Sequence, residues 1–101
     1  MEGLFQTEIG HGEPPPLDFA GLLDRLKDLL LRKIRNGELT ERGLARRVGL
    51  SQSHIHNVLN GARVLTPTTA DRLLAGLEVS VLELIEREEA EAYWVARSRY
   101  R

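Results

Sequence analysis

The chain has 101 residues, 42% hydrophobic and 29% charged, with a formal net charge of −1 and no cysteine. That length suits one domain with a single modest core, and the missing cysteine excludes disulfides, thiolate metal sites and thiol nucleophiles, which fits a reducing cytoplasm. The longest leucine run, Leu29-Leu30-Leu31, is closely flanked by charge, and the N-terminus lacks a basic region followed by an apolar core, so neither a membrane span nor a secretory signal is expected.

Residues 1–16, MEGLFQTEIGHGEPPP, carry three glycines and end on three prolines. No helical period runs through them, and a disordered or loosely docked, flexible arm is expected. Leu4, Phe5 and Ile9 leave open a short strand or a partner-docking segment. The prolines stop any helix from running upstream.

A first helix is expected over residues 18–36. Asp18 can cap it. Phe19, Leu22, Leu23, Leu26, Leu29, Leu30 and Ile34 recur at spacings of three and four, which makes a wide apolar face. Asn36-Gly37 ends it, with Lys33 and Arg35 in the last turn, where cations suit the helix dipole. A second helix starts at Thr40, with a glycine, Gly43, at its third position. A glycine there costs about 1 kcal/mol relative to alanine. Leu44, Ala45 and Val48 form its apolar stripe. Gly49 is placed to leave that helix through a left-handed conformation. Leu50, apolar inside a turn, is expected to plug the angle to a third helix over residues 51–60. Ser51 caps that helix, Ile55, Val58 and Leu59 face inward, and Gly61 provides its exit.

Thr66-Pro67 reads as a cap and first-turn proline for a fourth helix, whose buried stripe is Ala70, Leu73, Leu74 and Leu77. Ser80-Val81-Leu82-Glu83 is a capping box, with Val79 and Leu84 placed as a hydrophobic staple. A fifth helix is therefore expected from Ser80 into the 90s, with Leu82 and Ile85 facing the core. Beyond an acidic run come Tyr93, Trp94 and Val95, then Arg97, Arg99 and Arg101.

The stretch from Thr40 to Gly61, TERGLARRVGLSQSHIHNVLNG, thus has the layout of a helix-turn-helix. It resembles the Cro/repressor (XRE) class of these domains. The resemblance continues through Thr66-Pro67, Ala70-Asp71-Arg72-Leu73-Leu74 and Leu77-Glu78-Val79-Ser80, and covers roughly residues 18–86. It implies an all-α, five-helix repressor-like domain over residues 17–88. An N-terminal arm (1–16) precedes it and a C-terminal helical extension (89–101) follows. A generic αα-hairpin is the bland alternative.

On the third helix the side opposite Ile55, Val58 and Leu59 holds Ser53, His56, Asn57 and Asn60, with Gln52 at the first turn. Glutamine and asparagine can pair bidentately with adenine. The resemblance places Gln52, Ser53 and Asn57 against bases, and the same outward side makes His56 a fourth candidate. A plain solvated face is the competing reading. Phosphate contacts are expected at the starts of the second and third helices, through Thr40 and Ser51, and at the end of the third, through Asn60 and Arg63. Where the resembled family often has glutamine, this chain has Glu41, which suits the helix dipole but repels phosphate. Residues 39–77 carry five arginines against two acids, a net +3, while each flank carries −2, so the motif is the basic third of the chain.

His54 and His56 lie two apart on a helix and point about 160° away from each other, so they cannot share one metal ion. Ser51, His54 and Asp71 could be grouped as a triad, but Ser51 is needed as a cap and no oxyanion loop is evident. No metal site, cofactor or enzymatic activity is expected. The leading expectation is a sequence-specific protein for double-stranded DNA, a prokaryotic or phage transcriptional regulator. The alternative is a protein-interaction module, an antitoxin or adaptor, with secondary DNA binding. Tyr93, Trp94 and Val95 suit a homodimer contact or fold back on the first helix.

Overall fold

The computed structural model describes residues 17–99. The expected N-terminal arm and the last two residues lie outside that range. Among the described residues the order is α1 (Phe19–Arg35), α2 (Glu41–Val48), α3 (Gln52–Leu59), α4 (Pro67–Leu77), a 3-10 turn (Val81–Leu84) and α5 (Arg87–Arg99), with no strand. The all-α helix-turn-helix fold expected from the sequence is present. No helix among them is long and apolar enough to cross a membrane.

Local chemistry sets the boundaries. Asp18 Oδ1 accepts from Gly21 N at 2.6 Å and opens α1. At its other end Gly37 takes φ 80°, and Glu38 N and Gly37 N donate to the carbonyls of Lys33 and Ile34, which satisfies groups the helix itself cannot pair. Thr40, Ser51 and Thr66 cap α2, α3 and α4. α4 closes with Glu78 in the left-handed region, φ 58°, a conformation that costs a non-glycine residue about 1–2 kcal/mol.

The core lies where four helices meet. Leu26 and Leu30 come from α1, and Leu44, Ala45 and Val48 from α2. Ile55, Val58 and Leu59 come from α3, Leu65 from the loop, and Ala70 and Leu73 from α4. Leu50 packs against this cluster from the turn, as its apolar character requires. α4 lies so close to α2 that a Cβ built at Gly76 would overlap Val48 Cγ1.

The C-terminal part departs from expectation. Ser80 and Glu83 do form a capping box, but it opens only the single 3-10 turn, and Ile85 is extended (φ −114°, ψ 128°) before α5 begins. The cause is tertiary. Arg25 of α1 is buried, and its Nη1 donates to the Leu84 carbonyl at 2.9 Å, an oxygen that a continuous helix would spend on its own ladder. The same guanidinium grips the Glu89 carboxylate through both nitrogens. Glu89 Oε1 also accepts from Glu86 N at 3.2 Å and organises the start of α5. A 3-10 turn repeats every three residues rather than every 3.6. Val81 and Leu84 therefore share the inward groove, while Leu82, expected in the core, is 71% exposed. Phe19, expected on the buried face of α1, is 84% exposed at the rim of the same groove.

The Glu89 carboxyl is held below the ordinary carboxylate range. The Arg25 hydrogen bonds are the main cause, opposed by burial and helped by the Glu86 N–H and the Arg25 charge. Hydrogen bonding to Glu89, against the opposing effect of burial, raises Arg25 in turn. A lowered carboxyl favours the folded state above its ordinary titration range, and the contribution fades as the pH falls through the lowered value. Glu89→Gln should melt below the wild type at neutral pH, and thermal melts should show the gap closing as the pH drops through and below the ordinary carboxylate range. Gly76→Ala should destabilise the domain by ~1–3 kcal/mol in chemical denaturation, because overpacking outweighs the better helix propensity. Adding Val48→Ala should recover part of that loss by opening room for the new methyl.

Candidate nucleic-acid interface

α2 and α3 are joined by a turn held from several sides. Gly49 is left-handed with φ 74°, Leu50 anchors inward, and Ser51 Oγ accepts from His54 N at 3.0 Å. From α4, Arg72 Nη2 donates to the Val48 and Gly49 carbonyls at 2.9 and 3.0 Å. A cation at the C-terminal end of α2 satisfies free carbonyls and complements the dipole there. Arg72 counted toward the basic segment of the sequence. In the structure its guanidinium braces the turn. Nothing local in the sequence signals this, because the contact depends on how α4 crosses α2.

With Ile55, Val58 and Leu59 buried, α3 turns Gln52, Ser53, His56 and Asn57 outward, all exposed. Together with Glu41 they line one shallow depression of about 280 Å³ between α2 and α3. The four residues expected to meet bases are thus brought together. Thr40 and Ser51 use their side-chain oxygens as cap acceptors, Thr40 Oγ1 taking Gly43 N at 2.9 Å. Each hydroxyl keeps its hydrogen for donation outward. Arg63 is exposed, and its backbone N–H donates to the Asn57 carbonyl at 3.0 Å, which folds the loop back beside the end of α3. Arg42, Arg46 and Arg47 are exposed on α2.

Sequence reasoning missed a polar chain across this surface. Asn60 Nδ2 lies 2.7 Å from His56 Nε2, and His56 Nδ1 lies 3.2 and 3.3 Å from the two Glu41 oxygens. The arrangement fits one tautomer, with the amide donating to Nε2 and the Nδ1 proton directed at the carboxylate. Both ring nitrogens of His56 are therefore engaged within the protein, and the amide of Asn60 is turned toward its own helix. Glu41 in place of an amide was the one signal that the sequence offered.

Tyr93, Trp94 and Val95 on α5 are 56%, 64% and 55% exposed. Among the described residues no group of three metal-ligating side chains is gathered.

A family model described as a helix-turn-helix domain matches residues 18–87. The chain belongs to that family of repressor-like helix-turn-helix domains. DNA is the partner that such a domain indicates. No curated protein and no solved structure gave a match.

Proposed function

We propose that this chain binds double-stranded DNA sequence-specifically and acts as a prokaryotic or phage transcriptional regulator, reading the major groove with α3. The observation that carries this reading is the gathering of Gln52, Ser53, His56 and Asn57 on the outward face of α3, around one depression, within a helix-turn-helix domain. Gln52, Ser53 and Asn57 are short or planar and both donate and accept, as reading base edges requires, while the ring of His56 is engaged by Glu41 and Asn60. Free N–H groups and cap hydroxyls at the starts of α2 and α3, with Thr40 and Ser51, supply phosphate contacts. Arg63 supplies another at the far end of α3, where the Asn60 amide, the other expected contact, is instead turned toward His56. The protein works by binding, in the cytoplasm, without a cofactor.

A second reading has its own support. Phe19, Leu22, Leu23, Pro67, Leu74 and Val81 help line an apolar groove of about 320 Å³ away from α3, a surface suited to a protein partner. On this reading the domain is an antitoxin or adaptor. Retention on random duplex DNA separates the two. A DNA binder is held at low salt and its affinity falls steeply as salt rises, whereas an adaptor is held weakly at any salt.

One reader helix covers few base pairs, and a homodimer through the extension at residues 89–101, with Tyr93, Trp94 and Val95 at the contact, would double the site. Gln52→Ala and Asn57→Ala should each weaken specific binding by ~1–3 kcal/mol and leave non-specific binding nearly unchanged, measured by titration of selected and random duplexes. Arg63→Ala should weaken all duplexes alike and reduce the salt slope by about one. Truncation after Glu89 should leave a folded monomer with much weaker operator binding. A full chain that sediments as a monomer at high concentration, even with operator present, would exclude the dimer.

A further inference from the structure

We propose that Glu41 is a base-reading residue: its carboxylate accepts a hydrogen bond from the exocyclic amino group of a cytosine in the major groove, and His56 positions it. The inference rests on the DNA-binding reading above and names a base chemistry within it.

A carboxylate at the first position of a helix ordinarily stays over that helix's own N–H groups, where the dipole favours it. Glu41 does otherwise. Its side chain crosses from α2 to α3, and both oxygens lie within 3.3 Å of His56 Nδ1. The side chain is 27% exposed, against 56% for His56, so it is held in the gap rather than extended into solvent. Asn60 donates to His56 Nε2 at 2.7 Å, which keeps that nitrogen an acceptor and leaves the ring proton on Nδ1, aimed at Glu41. The three side chains form one directed chain from Asn60 through His56 to Glu41.

One ring proton satisfies one lone pair, while a carboxylate has about four acceptor sites. The remaining capacity borders the depression shared with Gln52, Ser53, His56 and Asn57, whose lining contains no lysine or arginine. A negative acceptor there is mismatched to a phosphate and matched to a neutral N–H donor. In the major groove only cytosine and adenine offer one. Adenine sets the N7 acceptor beside its amino group, guanine shows two acceptors and thymine shows O4. Each of those acceptors repels a carboxylate. Cytosine alone presents its donor with no acceptor on its own base; the nearest one, O6 of the paired guanine, lies to one side, so a carboxylate can approach from the other. The same placement draws the charge off the start of α2, where it would otherwise oppose a phosphate.

The test is selection of bound duplexes from a random pool by the full chain and three variants, each checked for folding by circular dichroism. The wild type should enrich cytosine at one position of the site, and replacing it with thymine should lower affinity about tenfold. Glu41→Gln should lose that preference and shift toward adenine, with the positions read by Gln52 and Asn57 unchanged. His56→Ala should flatten the cytosine preference, and His56→Gln, which restores an N–H donor, should recover part of it. A purely structural role for His56 would not move one base position alone. A DNA-side measurement needs no variant: N4-methylcytosine keeps its pairing hydrogen and loses the groove-facing one, and should cost the wild type a similar factor. Unchanged preferences in Glu41→Gln, or indifference of the wild type to N4-methylcytosine, overturn this proposal while leaving DNA binding intact. Failure of the wild type to show salt-sensitive retention on any duplex overturns both.

Discussion

The approach of α4 to α2 at Gly76 and Val48 constrains the opposite side of the domain. With no side chain at Gly76, the last turns of α4 come close enough for Arg72 to reach the carbonyls of Val48 and Gly49. Those two carbonyls lie where the backbone leaves α2 and swings into α3. A bond to each fixes the exit direction, and the left-handed Gly49 together with the inward Leu50 sets the rest of the angle. The outward face of α3 is thus oriented by contacts that never touch it. Ala45 and Ala70 are small and buried in the same core.

The interface set by this brace is electrically mixed. Arginines lie on α2 and in the loop after α3, while the depression between α2 and α3 contains a carboxylate and amides. On the DNA-binding reading such a surface separates two tasks. Cations and helix starts hold a backbone without regard to sequence, and the neutral and acidic groups discriminate among base edges. A chain with a net charge of −1 has little long-range pull on nucleic acid, so on this reading discrimination depends on short-range groups.

The parts of this structure that were legible in the sequence are the local ones. Asp18, Thr40, Ser51 and Thr66 cap helices where their types and positions indicate, and Gly37, Gly49 and Gly61 take positive φ where chain reversal needs it. The stripes of α2 and α3 sort correctly because a period of 3.6 leaves one inward solution for a short helix. The illegible parts join distant residues. Arg72 meets α2 across 24 residues, His56 meets Glu41 across 15, and Arg25 meets Glu89 across 64. The last contact also explains the misread fifth helix. A capping box specifies where a helix starts, not how far it runs, and here a buried guanidinium claims the Leu84 carbonyl. Leu82 faces outward for the same reason, since an inward place for it requires the 3.6-residue phase of a helix that does not continue.

The attachment of α5 has a mechanical consequence. The helix is 13 residues long, about 20 Å, and its first turn is fastened by the Arg25 grip on Glu89 while residues 91–95 lie exposed. The extended backbone at Ile85 is where a change in its direction would pivot. A tilt of about 10° at that pivot displaces the far end by about 3.5 Å, close to the rise of one base pair. In the proposed dimer gripped along α5, the separation of the two copies of α3 would then depend on how the Arg25 guanidinium on α1 holds the start of α5.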